Sequence, residues 1–440
     1  MKRTAAAVMV ISLFTLTSSG VGYTSPNIAH PGRKTGRESP FFPCRGFAVI
    51  DECVVVVKKN RERPILEGHP WVFSGAVKEY VRCSGAGEVC SVLDEGGRFI
   101  ARGYVNRRSA IPVRVLTTRD VPIDGTFIRR ALANALETRS RVMKPLPDAC
   151  RIVNAEGDFL PGLIVDRYGD GLVVQILTAG MQNLRGLIVD ALVELTSPGF
   201  IYEKSKSAAS AREGFDFTDG PVLGETPARV VVGECGAQLA VDIPGGQKTG
   251  LYLDQRENRR LSQAISGGMR VLNCFSYSGA FGVLAVLGGA KSVLNVDSSE
   301  RALEQARENA ALNGLDERRF GTLREDVFTF LRMAHEPWDL VILDPPRFAG
   351  AKKEVPGAAR GYKDINLCAM KLVRPGGMLM TFSCSSHVDE ELFRKIVFGA
   401  AVDARRRVQI LRALGADVDH PVNLAHREGE YLKGLLLRVG

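Results

Sequence analysis

At 440 residues the chain is too long to fold around one ordinary core, which points to two or three domains. Its 45% hydrophobic and 24% charged residues are those of a globular protein, and an excess of nine positive charges suggests a polyanionic partner. Nine cysteines with no C-x-x-C pair argue against a structural zinc; Cys53, Cys235 and Cys274 sit in apolar runs as reduced, small hydrophobes would, so a reducing compartment and no metal are expected.

The chain opens with Met1-Lys2-Arg3 and an apolar run from Ala5 to Leu16. This has the charged head and short core of a secretory signal, and it is too short to span a bilayer. The stretch from Ser25 to Arg45 is rich in Pro, Gly and basic residues and should be disordered. Residues 1–52 therefore form a signal-like or disordered extension outside the fold. A cytoplasmic protein without membrane association is expected despite that head, because the chemistry below needs a cytoplasmic cofactor.

Residues 53–125 begin with Val54-Val-Val-Val57 and continue through short β-like runs punctuated by Gly85, Gly87, Gly96 and Gly97. Close strand spacing with glycine turns predicts a small β-barrel. Lys58, Lys59, Arg61, Arg107 and Arg108 fall in its loops, as candidates for phosphate contacts or as ordinary solvated charges. Residues 126–240 mix the two periods. Phe127, Ile128, Leu132 and Leu136 recur at helical spacing, two strands flank a tight Tyr168-Gly-Asp-Gly171 turn, Leu184 to Leu195 is helical, and Ala228 to Asp242 returns to strand. This α+β segment holds no catalytic cluster; its expected role is to connect and orient.

Residues 241–440 alternate strand and helix strictly from Gly246 onward. Val271–Ser276, the run ending at Asp297, the run before Asp326, the run ending at Asp344 and the run ending at Cys384 are predicted strands with helices between them. Val408–Leu414 and Leu432–Arg438 supply the last two. This predicts an α/β, Rossmann-like doubly wound sheet, whose ligands lie outside the carboxyl ends of the strands.

The turn Asn273-Cys-Phe275-Ser-Tyr277-Ser-Gly279-Ala-Phe-Gly282 lacks both the dinucleotide glycine spacing and a Walker lysine. Asp297 ends its strand where an acid binds ribose hydroxyls, and Asp326 is placed to meet an adenine amino group. Acids and one compact turn suit an adenosine bearing a sulfonium better than one bearing phosphates, which points to S-adenosyl-L-methionine. Leu340-Val-Ile-Leu-Asp344-Pro-Pro-Arg-Phe348 and Thr381-Phe-Ser-Cys384-Ser-Ser386 each end an apolar run abruptly in polar residues. Methyl transfer to carbon 5 of a pyrimidine needs a nucleophile at carbon 6; Cys384 is the candidate, with Asp344 holding the base edge. His387, His420, Glu428 and Glu430 are candidate bases for the carbon-5 proton.

Several stretches carry a resemblance: Gly68-His-Pro-Trp-Val-Phe-Ser-Gly75, Leu160-Pro-Gly-Leu-Ile-Val-Asp-Arg-Tyr-Gly169, Lys248-Thr-Gly-Leu-Tyr-Leu-Asp-Gln-Arg256, Asp344-Pro-Pro-Arg-Phe348, Gly361-Tyr-Lys-Asp-Ile-Asn366, Phe382-Ser-Cys-Ser385 and Tyr431-Leu-Lys-Gly434. From about Cys53 to its C-terminus the chain resembles the rRNA large subunit methyltransferase I family, enzymes that make 5-methylcytosine in bacterial 23S rRNA. The resemblance implies an RNA-binding PUA-like barrel, a connecting domain and a class I methyltransferase domain. It implies Cys384 as nucleophile and Asp344 as catalytic-loop acid, with Phe275, Tyr277, Gly279, Asp297 and Asp326 holding the cofactor and Asp254 and Arg256 completing that pocket. A homodimer is a further expectation. Pro346 stands where many RNA cytosine-5 methyltransferases have a second cysteine, so release of the product must use another group. Two rival readings are methylation of a purine ring nitrogen without a covalent adduct, and a non-catalytic RNA-binding or ribosome-assembly factor.

Overall fold

Three sheets follow one another along the chain, and each gathers its own apolar core. The computed structural model describes residues 52–206, 213–215 and 217–440. The signal-like head and the basic stretch before Arg45 lie outside the described residues.

The first sheet contains β1 (Cys53–Val57), β2 (Trp71–Val72), β3 (Val77–Val81), β4 (Glu88–Leu93), β5 (Phe99–Val105) and β6 (Val113–Thr117), in the order β2-β6-β5-β4-β1-β3. Its strands are rich in valine, whose branched side chain packs well on a pleated surface. Val55, Val57, Val72, Val92, Ile100 and Val113 fill one shared interior. Cys53 corrects an expectation: it is not a reduced hydrophobe but is disulfide-bonded to Cys83. Antiparallel pairing of Val54 with Val81 brings the two cysteines together from positions 30 residues apart. No local spacing announced that pair.

The second sheet is β11-β10-β9-β8-β7, built from β7 (Ala149–Asn154), β8 (Leu163–Tyr168), β9 (Gly171–Ile176), β10 (Ile201–Lys204) and β11 (Asp219–Leu223). Two helices, Gly125–Val142 and Arg185–Thr196, cover it with Ile128, Leu132, Ile188 and Leu192. Asp124 starts the first of them by accepting a hydrogen bond from the Phe127 amide (2.9 Å), as an N-cap acid should.

The run from Ala228 to Asp242 is a hairpin of β12 (Val230–Glu234) and β13 (Ala237–Val241). It leans on the third sheet: Asn309 accepts from the Ala240 amide at 2.7 Å, and Gln305 donates to the Ala240 carbonyl at 2.8 Å. Both partners lie on helix Glu300–Leu312.

The third sheet has the order β16-β15-β14-β17-β18-β20-β19, from β14 (Arg270–Cys274), β15 (Ser292–Asp297), β16 (Phe320–Arg324), β17 (Trp338–Leu343), β18 (Val373–Ser383), β19 (Val408–Gly415) and β20 (Lys433–Val439). Strands β14 to β18 pair in parallel, and β20 is antiparallel to β18. The central strands are buried on both faces, as their near-continuous apolar runs require. From β14 the chain winds outward to β15 and β16; from β17 it winds the other way, to β18. The crevice at a reversal of this kind is where a doubly wound sheet binds its ligand.

Candidate active site at the strand ends

A cavity of about 460 Å³ opens at that reversal, above the ends of β14, β15, β17 and β18. Larger clefts lie elsewhere, but none of them touches the strand ends. The turn after β14 forms one wall. Phe275 and Tyr277 both adopt positive φ, 57° and 46°, a conformation that bulky residues reach only when their surroundings impose it. Two contacts do so: Asp297 accepts from the Tyr277 amide at 2.9 Å, and the Phe275 ring packs edge-on against Phe328 at 6.3 Å. Gly279, also at positive φ (69°), is needed for clearance, since a Cβ there would lie 2.7 Å from that of Ala306.

The opposite wall carries the reacting residues. Asp344 leaves the end of β17 and Cys384 follows β18. The Cys384 thiol lies 3.8 Å from the Pro345 carbonyl oxygen, directly beside the acid loop. Ser385 ties the two loops together, accepting from the Phe348 and Ala349 amides at 3.2 and 3.1 Å while its hydroxyl meets that of Tyr362 at 3.0 Å. The acid loop and the cysteine are thereby one rigid unit.

A third segment, Gln247–Gln255, closes the cavity, and the middle sheet holds it in place. The Thr249 hydroxyl donates to Asp166 at 2.6 Å and meets the Tyr168 hydroxyl at 2.9 Å. Lys204 donates to the Ile243 and Gly246 carbonyls at 2.7 and 2.6 Å. This gives the connecting region a physical orienting role.

Burial governs the electrostatics. Asp254 is 2% exposed, and Lys248 (2.9 Å) and the Tyr431 hydroxyl (2.6 Å) both donate to its Oδ2. Burial alone would raise its pKa, but Lys248, His420 and the Tyr431 hydrogen bond hold the carboxyl well below the usual range. Asp344 goes the other way: burial and the Asp254 charge push it up to about 7 against the pull of Lys248. Burial, then Asp344, push the Cys384 thiol up to about 11. One acid is thus ionised, and its neighbour carries a proton near neutrality.

Three buried polar atoms on the lining have no partner: Asp254 Oδ1, Gln255 Nε2 and Ser276 Oγ. Orphans of this kind are costly unless a ligand meets them. With the Asp297 carboxylate at one end, an anionic oxygen near the middle and apolar Phe275 and Phe281 between, the lining fits a ribose, a cationic amino-acid tail and a flat base.

The residues singled out from sequence separate into two groups. Phe275, Tyr277, Asp297, Asp254, Asp344 and Cys384 all line this cavity. Asp326 does not; it is exposed and caps helix Val327–Met333, accepting from the Thr329 amide at 2.9 Å. Gly279 lies behind the turn rather than on its lining face. Arg256 points away, donating to Asp417 at 2.9 Å, to the Ala149 carbonyl at 3.0 Å and to Asp419. Of the four candidate bases, none lines the cavity; His420 is buried with its Nδ1 2.6 Å from Asp419. Lys248, Tyr252, Gln255, Ser276 and Tyr431 do line it without having been singled out, and only their places in the resembling stretches hinted at them. On the first sheet, Lys58, Lys59, Arg61, Arg107 and Arg108 are all exposed; Lys58 donates to the Gly75 carbonyl at 3.0 Å, and Arg107 lies 5.0 Å over the Tyr80 ring.

Strand order and cavity together define a class I S-adenosylmethionine-dependent methyltransferase preceded by a PUA-like barrel. Residues 217–396 match the family described as S-adenosylmethionine-dependent methyltransferase, and residues 55–118 match the PUA-like domain. The crystal structure of SMU.776 complexed with SAH shares the fold, with a TM-score of 0.77 at 23% identity over 88% of this chain and 100% of that one. A SAM-dependent methyltransferase from Streptococcus mutans matches similarly, with a TM-score of 0.76 at 22% identity over 88% and 100%.

Sequence relatives narrow the class. Ribosomal RNA large subunit methyltransferase I of Klebsiella pneumoniae (strain 342) is 42% identical over 391 residues, 88% of this chain and 98% of that protein. The protein of the same name from Aeromonas salmonicida (strain A449) is 45% identical over 391 residues, 88% and 99%. The chain belongs to the ribosomal RNA large subunit methyltransferase I family, and its cofactor is S-adenosylmethionine. Among the described residues no helix is long and apolar enough to cross a membrane, and no group of three His, Cys, Asp or Glu could hold a metal ion.

Proposed function

We propose that this enzyme methylates carbon 5 of a cytosine in 23S rRNA through a covalent adduct on Cys384. The observation that carries the reading is the 3.8 Å approach of the Cys384 thiol to the acid loop, inside the cavity whose other wall is the Phe275–Ser278 turn. When bound, the cofactor supplies a methyl group on a positively charged sulfur. Asp297 would hold its ribose hydroxyls, Phe275 and Tyr277 would flank its base, and the free Oδ1 of Asp254 would face its cationic tail.

Carbon 5 of cytosine is a poor nucleophile by itself. Addition of the Cys384 sulfur to carbon 6 breaks the 5,6 double bond and moves its electron pair onto the ring, so that carbon 5 can attack. Asp344, carrying a proton near neutral pH, would donate to ring nitrogen 3 and stabilise the charge that develops. Loss of the carbon-5 proton then restores the double bond and expels the sulfur as thiolate. Nothing in this sequence needs a second cysteine at Pro346 if the base is a carboxylate or water.

A base in structured RNA must leave its stack to reach such a crevice. Lys58, Lys59, Arg61, Arg107 and Arg108, exposed on the barrel, would hold the surrounding phosphates. The test is Cys384→Ala, assayed on 23S rRNA lacking the modification, with nucleoside mass spectrometry as readout. Loss of 5-methylcytidine by at least about 10³-fold is expected, since removal of a covalent nucleophile leaves only binding and electrostatic terms. Retained turnover, or a methylated purine in the wild-type product, excludes the covalent route.

A further inference from the structure

Lys433 is a buried cation that the reaction above does not use. It opens β20 and pairs with Ser383 across the β18–β20 ladder. Its Nζ donates to the Ser385 carbonyl at 2.8 Å, so the side chain spans the two residues that flank Cys384. It is only 7% exposed. Among the described residues no carboxylate pairs with it. An ammonium placed there without a counter-ion is costly, and side chains of this kind are rarely buried unless paired.

The surroundings say what would make that cost worthwhile. The charged and titratable groups facing Lys433 are Cys384 and Asp389 from the segment after β18, Arg347 from the acid loop and Glu430 from the segment before β20. Asp389 is engaged as the cap of helix Glu390–Ala404, accepting from the Leu392 amide at 2.8 Å. Cys384 itself faces two acids, Asp344 and Asp254, both of which oppose its ionisation. The cation on the cavity side, Lys248, is already paired with Asp254 at 2.9 Å. That leaves Lys433 as the unpaired positive charge at the cysteine.

We propose that Lys433 is a positioning residue for Cys384, its ammonium supplying the charge against which the thiol ionises. The inference rests on the covalent reading of Cys384 for its purpose. In the step concerned the S–H bond breaks, sulfur keeps both electrons, the proton leaves to water through the crevice and Lys433 keeps its own. A cationic neighbour favours the thiolate by opposite-charge attraction, as it does at other reactive cysteines. Burial of the ammonium, which lowers its pKa to about 8, limits the effect to the physiological side of that value.

The test is the rate at which iodoacetamide alkylates Cys384 in the cofactor-free full-length protein, read by peptide mass spectrometry between about pH 7 and about pH 9.5, since the thiolate is the reacting form. Lys433→Gln keeps a donor for the Ser385 carbonyl but removes the charge; Lys433→Arg keeps the charge. About tenfold slower alkylation is expected for Lys433→Gln at pH near 7.5, equivalent to one pKa unit, and a rate within about threefold of wild type for Lys433→Arg. Equal rates for wild type and Lys433→Gln, or equal slowing in both variants, would overturn the proposal. Should Lys433→Gln fail to fold, the wild-type curve decides: it flattens above about 8 as Lys433 loses its proton, whereas the Lys433→Arg curve keeps rising. Superimposable curves reject the role. Alkylation does not depend on turnover, so its failure leaves the covalent route standing, and an active Cys384→Ala would sink that route without touching the alkylation result.

Discussion

The barrel and the crevice both collect charged residues, but they treat charge in opposite ways. On the barrel, Lys58, Lys59, Arg61, Arg107 and Arg108 stand in solvent, where salt screens them and each is worth little alone. In the crevice, Asp254, Asp344 and Lys248 share one buried cavity, and one acid is held ionised while its neighbour is driven up to about 7. The same residue types therefore act additively and weakly in one place, and as a coupled unit in the other. Binding of a long polyanion suits the first arrangement; control of a proton suits the second.

The comparison breaks most visibly at Asp344. Asp344→Asn should cut methyl transfer by about 10²–10³-fold, the usual cost of losing a stabilising donor. It should also stabilise the cofactor-free protein at alkaline pH. The folded pKa of Asp344 is raised from 3.8 to about 7, so its contribution to stability is fully present below the unfolded value and is lost as pH rises through the folded one. The melting temperature of Asp344→Asn relative to wild type should therefore climb between about pH 4 and about pH 7 and level off above. A constant difference across that range would show that Asp344 is not the buried acid described.

Arg256 sharpens the contrast from inside the fold. Its guanidinium joins Asp417, Asp419 and the Ala149 carbonyl, binding the final segment to the middle sheet. Arg256→Met should cost about 3–5 kcal/mol in denaturant unfolding, because it strands two buried carboxylates. Calorimetric affinity for S-adenosylmethionine in the folded variant should stay within about threefold, the scale of an indirect effect. A much larger loss of affinity would return Arg256 to the cofactor pocket.

On the barrel, Arg107→Ala with Arg108→Ala should weaken binding of an rRNA fragment several-fold and lower the slope of log affinity against log salt by about 0.7–0.9 per lost phosphate contact. An unchanged slope would remove these arginines from the RNA path. Asp326→Ala has the smallest expected effect, about 1 kcal/mol of stability from the lost helix cap, with cofactor affinity unchanged.

The sheet was legible because its signal is local. Apolar runs such as Leu340–Leu343 and Val271–Cys274 ended in polar residues, and the helical stretches between them, such as Arg301–Leu312, recurred at regular intervals. Those strand ends gave Asp297, Asp344 and Cys384, since in a parallel sheet the end of the strand is where the ligand lies. Asp326 misled because it too ends such a run, yet its carboxylate turns back to cap the next helix. Nothing within the strand distinguishes those two uses of an aspartate.

Sequence by itself determined the alternation of elements, the ends of the strands and hence the acid and the cysteine, because backbone periodicity and burial are written in neighbouring residues. Tertiary structure decided which charges meet: that Lys248 and Tyr431 converge on Asp254, that Arg256 turns to Asp417 and Asp419, that Cys53 reaches Cys83, and that Lys433 flanks Cys384. These pairings join residues from 6 to 177 positions apart in the chain. Coulombic interaction depends on distance in space and on the water excluded between the groups, and the order of residues along the chain encodes neither until the chain has folded.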